Sequence, residues 1–163
     1  MPMEIRKNVR GVAHDTDVAR ITLMRIPDRP GIAAAIFQPL ADANISVDTI
    51  AQSSGADGTT DISFTVSRSG LEQAVEITSQ SEPGVAAEQV DAADDLAKVS
   101  IVGTGMQSAP GYAARMFGAL ASASINISII STSDIKITCV VPRDRAEDAV
   151  RVLHSAFELD RED

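Results

Sequence analysis

A repeat constrains this chain more than any other feature. Pro30-Gly31, Phe37, Leu40, Ala41, Ala43, Ile45 and Ile50 recur 80 positions later as Pro110-Gly111, Phe117, Leu120, Ala121, Ala123, Ile125 and Ile130. The matches run through a loop, an apolar helical stripe and a strand, so they mark one structural unit used twice. The chain has 163 residues, room for two small units of this kind. The two hairpins differ in length, because Asp61-Ile62 answers to Asp134-Ile135 at an offset of 73.

Local patterning gives each copy its elements. Residues 8–14 read as a short strand that Asp15-Thr16-Asp17 breaks, and 19–26 as a second strand ended by Pro27. A helix over 30–43 turns Ala33, Ile36, Phe37, Leu40 and Ala41 inward, with Pro30 at its first position. Pro39 deletes a hydrogen bond to the Ala35 carbonyl, which predicts a kink or a loosened last turn. Strands at 45–52 and 59–66 flank a polar turn closed by Asp57-Gly58. Ser69 and Glu72 have capping-box spacing and open a helix to about residue 80. Pro83-Gly84 turns the chain into a strand over 85–90, and 91–96 reads as a polar joint.

The second copy has a strand at 98–103, a helix over 110–123 with Ala113, Met116, Phe117, Leu120 and Ala121 inward, and strands at 125–132 and 135–141. Its last helix, 143–157, turns Ala146, Ala149, Val150 and Leu153 inward. No fourth strand follows, which would leave a sheet edge open. The strand at 8–14 fills that place. The predicted fold is therefore α+β: two ferredoxin-like βαββαβ modules, the first (17–94) inserted within the second (1–16 plus 95–163).

Composition excludes several functions. A formal net charge of -9 argues against nucleic acid or an anionic membrane as partner. The basic cluster Arg6, Lys7, Arg10 and the acidic tail from Glu158 read as solvated chain. With no spanning apolar run and no signal peptide, a cytoplasmic protein is expected. Cys139 stands alone in an alternating strand and reads as a buried, inert thiol. His14 and His154 lack metal-ligand spacing, and no metal or cofactor is expected. Gly103-Thr104-Gly105 is half of a dinucleotide fingerprint and reads as a turn. No catalytic site is recognisable.

The chemistry gathers at Asp28-Arg29-Pro30-Gly31. A polar turn leads from a strand into a helix, whose first amides and positive dipole end suit a small carboxylate. Ser108-Ala109-Pro110-Gly111 repeats the arrangement.

These residues carry a family resemblance. The run from Ile26 to Gly31, Leu40-Ala-Asp-Ala-Asn-Ile45, Asp57-Gly-Thr-Thr-Asp61, Val99 to Met106 and Ile125 to Asp134 resemble the regulatory end of aspartokinases. The Asp-x-Pro-Gly turn alone is common to ACT domains; the motifs in order, covering roughly residues 8–158, are specific to aspartokinase. The resemblance implies tandem ACT domains that sense threonine, lysine or both, form a homodimer and restrain a catalytic domain or subunit by allosteric feedback. The kinase domain is absent from these residues; a separate subunit and a segment of a longer chain both fit.

By this resemblance one site joins Asp28, Gly31, Ile32, Ala33 and Gln52 to Asn126 and Ile127 of a partner. Amides of Gly31, Ile32 and Ala33 would hold the effector carboxylate, and Asp28 and Gln52 its ammonium or hydroxyl. Asp28 also reads as a simple helix cap, and Gln52 as an exposed strand-end amide. A second site would use Met106, Ser108, Gly111, Tyr112 and Ala113 with Ser46, Val47 and Asp48, and with Asp48 or Asp134 for a lysine ammonium. Ser108 stands where Asp28 has its carboxylate, so a pseudo-site that only packs the dimer fits as well. Two other functions stay open: a free-standing tandem ACT sensor, and a small ferredoxin-like enzyme such as an acylphosphatase. The latter needs an Arg phosphate loop with an oriented Asn; only Arg29 approaches that role.

Overall fold

Residues 9–80, 87–105 and 111–159 are described by the computed structural model. Each of its two compact units owns a hydrophobic core. Asp17–Asp94 forms the inserted unit; the stretches up to Thr16 and from Asp95 form the split unit. Two long strands, β1 (Val9–Pro27) and β4 (Gln89–Gly103), contribute to both.

In the inserted unit β1 leads to helix α1 (Ile32–Asp42), the hairpin β2 (Asp48–Ser54) and β3 (Thr59–Val66), helix α2 (Leu71–Ser79) and then β4. The strand order is β2-β3-β1-β4, with β3 antiparallel to both β1 and β2. Ile21, Leu23, Ile26, Ile62 and Phe64 from the sheet pack against Ile36 and Leu40 of α1 and Ala74 of α2. Phe37 meets Phe64 edge-on at 5.1 Å.

The split unit continues from β4 to α3 (Tyr112–Ser122), β5 (Ile129–Thr132), β6 (Lys136–Pro142) and α4 (Ala146–Ala156). Its order is β1-β4-β6-β5, so the start of β1 holds the place of a fourth strand. Val99, Ile101, Cys139 and Val141 of the sheet pack with Tyr112, Met116, Leu120, Ala149 and Leu153. The Cys139 and Met116 sulfurs lie 4.0 Å apart, and burial raises the Cys139 thiol to about 12. The thiol is a core group.

The repeat in sequence is a repeat in backbone. After α1, Asn44 takes φ 61° while its amide donates to the Ala41 carbonyl and the Ile45 amide to the Leu40 carbonyl, both at 2.9 Å. After α3, Ser124 takes φ 58° and the Ser124 and Ile125 amides bond Ala121 and Leu120 at the same distances. Both helices thus close in the Schellman pattern, with an apolar residue following the left-handed one.

Several expectations need correction. Asp15-Thr16-Asp17 does not break β1, and residues 91–96 are strand rather than joint. Acidic residues there are exposed and nothing requires them to be apolar. β2 begins at Asp48, not Ile45, because the helix cap occupies the preceding residues; β5 begins at Ile129 for the same reason. The predicted Ser69–Glu72 capping box is not formed. A 3₁₀ turn, Arg68–Gly70, precedes α2, and Ser69 Oγ pairs with Ser67 Oγ at 3.2 Å instead. The buried line of α1 is Ile32, Ile36, Leu40 and that of α3 is Tyr112, Met116, Leu120; Ala33, Ala41 and Ala121 are exposed. Around Pro39 the last turn is not loosened. Its own carbonyl accepts the Ala43 amide at 3.1 Å, and Pro39 and Ala35 are both exposed, so the missing bond lies on the solvent side. The predicted Pro83-Gly84 turn and the start of the strand at 85–90 lie outside the described residues.

Candidate functional site

The turn of the inserted unit is built from its backbone outward. The Ile32 amide donates to the Arg29 carbonyl at 3.2 Å, with Gly31 at φ 88°, ψ −7°. This is a type II turn with Pro30 and Gly31 at its two central positions. Pro30 therefore lies in the turn, not at the first helical position. Gly31 caps α1 and its carbonyl accepts the Ala35 amide at 3.0 Å.

This geometry corrects one amide assignment. Ile32 commits its N–H to closing the turn, and its side chain is buried. The amides of Gly31, Ala33 and Ala34 donate to no backbone carbonyl among the described residues, and all three residues are exposed. They form an unsatisfied N–H set at a positive helix end. Pro-Gly at the centre of a four-residue turn was the signal that Ile32 would be engaged.

Asp28 is exposed beside this set. Its amide donates to the Gly58 carbonyl at 3.0 Å, which docks the turn on the tip of the β2–β3 hairpin. No side chain caps α1, so the capping role for Asp28 is not realised. Gln52 is exposed on the edge strand β2, opposite Ile62. β3 lies between β2, which carries Gln52, and β1, which leads into Asp28.

The split unit reproduces the backbone. Gly111 caps α3 at φ 104°, ψ −12°, and accepts the Arg115 amide at 3.0 Å. Tyr112 is buried in the core, so only its backbone could meet a ligand; Ala113 is partly buried beside it. Asp134 is exposed in the β5–β6 turn, and the adjoining Ile135 carbonyl accepts the Gly103 amide at 2.8 Å at the end of β4. Met106 and Ser108 lie outside the described residues.

The remaining expected residues follow the two helix caps. Ser46 and Val47 occupy the link from α1 to β2; Asn126 and Ile127 occupy the matching link from α3 to β5. Ser46 and Asn126 are exposed. Asp48 opens β2, where its Oδ1 accepts the Thr49 amide at 2.9 Å and its carbonyl accepts the Thr65 hydroxyl at 2.8 Å. The first set has five members in the inserted unit and Asn126 and Ile127 in the split unit; the second set is divided likewise.

Sequence reading missed Arg25. Leu23 pairs with Ile62 and Ile26 with Thr60, so β1 carries one extra residue, and Arg25 takes φ 56° at this bulge. Its amide donates to Asp61 Oδ1 at 2.9 Å. Its guanidinium reaches Asp57 Oδ2 at 3.2 Å and Glu88 Oε2 at 2.7 Å. Asp57 in turn accepts the Thr59 hydroxyl at 2.6 Å and amide at 3.2 Å; these bonds, the hydroxyl first, hold its carboxyl below the usual range. The sequence offered one hint, a glycine at the counterpart position 80 residues on, Gly105, which takes φ 68°.

Among the described residues no group of three His, Cys, Asp or Glu is placed to hold a metal, and no helix is long and apolar enough to cross a membrane.

Comparisons with known proteins complete the picture. ACT-domain family models match residues 20–83 and 99–157. The aspartokinase of Pseudomonas aeruginosa is 47% identical over 152 residues, 93% of this chain and 37% of the relative. That of Thermus thermophilus is 44% identical over 161 residues, 98% of this chain and 40% of the relative. The chain thus spans well under half the length of these curated relatives. Among solved structures, the ligand-free regulatory subunit of aspartate kinase from Thermus thermophilus has 41% identity and a TM-score of 0.83, covering 93% of this chain and 99% of that one. A chain from the structure of aspartokinase alpha and beta subunits has 46% identity and a TM-score of 0.86, covering 92% and 99%.

Proposed function

The chain belongs to the aspartokinase family, where its paired ACT domains match the regulatory part, and from that premise we propose that it binds a feedback amino acid. Threonine, lysine or both occupy seams between ACT domains of two copies, and occupancy restrains an aspartokinase catalytic domain or subunit.

The observation that carries this reading is the turn of the inserted unit. Exposed amides of Gly31, Ala33 and Ala34 face solvent without backbone acceptors, beside an Asp28 that caps nothing. The amides suit an α-carboxylate and Asp28 suits an ammonium, the two charges of one amino acid. Asn126 and Ile127 of the second copy complete the site through their backbone, and Gln52 adds a polar contact. The turn at Gly111 is the second, less equipped seam, with Asp134 or Asp48 toward a lysine ammonium.

A paired assembly is supported by the sheet edges. β2 and β5 end their units' strand orders and expose Ile50 (57%) and Ile130 (49%), which are repeat counterparts. Inhibition requires the effector to bind two arrangements of the pair unequally, with a coupling of about 1–3 kcal/mol in such systems.

Titration calorimetry of the chain with threonine and with lysine tests the proposal. At least one binds, and Asp28→Ala weakens it by about 1.5–3 kcal/mol, roughly ten- to hundredfold in Kd. A folded chain that takes up neither amino acid overturns it.

A further inference from the structure

Arg25 occupies a backbone conformation that its counterpart meets with glycine. Its φ of 56° matches the 68° of Gly105, and a bulge residue in this region is ordinarily glycine. The inserted unit therefore holds an arginine at a strained position, where an observed outlier points toward function. Its side chain makes two contacts. One reaches Asp57 at the hairpin tip and the other Glu88, just before β4. Asp57 anchors Thr59, and between them Gly58 offers the carbonyl that accepts the Asp28 amide.

The three side chains are well exposed, at 58%, 49% and 68% for Arg25, Asp57 and Glu88. Ion pairs at such exposure add little to stability. What they do here is geometric: they hold the hairpin tip on which the effector turn is docked.

We propose that Arg25 is a positioning residue for the amino-acid site of the inserted unit, fixing the hairpin tip that aims Asp28. The inference rests on the effector-binding reading above.

The test uses Arg25→Gly, which keeps the backbone conformation and removes the guanidinium. Threonine and lysine are titrated into the wild-type chain and the variant at low and high salt. The melting temperature and the hydrogen exchange of the Asp28 amide are followed alongside. The variant's melting temperature does not fall, since glycine relieves the strain at this φ. It binds the Asp28-dependent amino acid about two- to fivefold more weakly, the scale of an exposed charge pair, and the gap narrows as salt rises. The Asp28 amide exchanges faster while that of Phe64 does not. Arg25→Lys recovers part of the affinity. Asp57→Asn, which leaves the bulge untouched, shows the same weakening even if Arg25→Gly folds poorly.

Equal affinities in wild type, Arg25→Gly and Asp57→Asn, with unchanged Asp28 exchange, overturn the positioning role and leave effector binding standing. A wild-type chain that binds neither amino acid overturns the functional reading and this inference with it.

Discussion

The two units share a backbone and differ in the polar groups hung on it. The inserted unit has Arg25 at φ 56° in the β1 bulge, and its counterpart 80 residues on is Gly105 at φ 68°, just beyond β4. At the turn, Asp28 is answered by Ser108. In the hairpin, Asp61 accepts the Arg25 amide, whereas its counterpart Asp134 lies exposed in the β5–β6 turn. The helix caps and core lines, by contrast, are duplicated position for position. Packing and left-handed positions are demanded by the fold and recur wherever it is used. Charged side chains at the rim are free to diverge, and the inserted unit has assembled a carboxylate, a docked turn and an ion-paired clamp.

The comparison is tested most heavily in the cores. Leu40 and Leu120 are fully buried counterparts in separate clusters. Truncation to Ala is expected to destabilise by about 2–5 kcal/mol in either case. Urea denaturation followed by far-UV circular dichroism measures both. Tyr112, the single tyrosine in a chain without Trp, lies in the split unit's core, so its fluorescence reports Leu120→Ala directly. A markedly smaller loss for one leucine would show that the two cores are not equivalent.

The glycine turns come next. An alanine Cβ at Gly31 would meet nothing within 4 Å, so the penalty is purely torsional at φ 88°. Gly31→Ala is expected to cost about 1–2 kcal/mol, and Gly111→Ala, at φ 104°, a similar amount. The two should separate in function. Gly31→Ala weakens the Asp28-dependent amino acid in calorimetry, whereas Gly111→Ala leaves that affinity in place. Equal weakening by both would erase the functional distinction between the turns.

Much of the fold was legible because its information is local or repeated. The 80-residue offset exposed two cores, the apolar stripes marked the helices, and the missing strand implied an insertion. What escaped is set by non-local pairing. The bulge at Arg25 exists because β1 and β3 must both register their apolar residues inward, which no neighbouring residue announces. A second bulge puts Thr49 at φ 42°, between Asp48 and Ile50, for the same reason. The continuity of β1 through Asp15-Thr16-Asp17 was hidden because exposed strand residues follow no apolar rule. At the site, Asp28 and the Pro-Gly turn stood out as chemistry, but the loss of the Ile32 amide followed only from recognising the turn type. Arg25 looked like any surface charge until its φ could be set beside that of Gly105.

The smallest expected difference lies in the helix caps. Asn44 and Ser124 hold left-handed positions at φ 61° and 58°, each followed by an isoleucine whose amide closes the cap. Glycine adopts this region without a Cβ penalty and is the usual residue there. Asparagine tolerates it better than serine does, because its short amide side chain makes local hydrogen bonds to the backbone. Ser124→Gly should therefore stabilise by about 0.5–1 kcal/mol, and Asn44→Gly by less, on the scale seen when an unfavourable backbone position is relieved. Thermal melts of the two variants decide it. If Asn44→Gly gained as much as Ser124→Gly, the asparagine would not be easing its own strain, and the two caps would be equivalent in energy as well as in geometry.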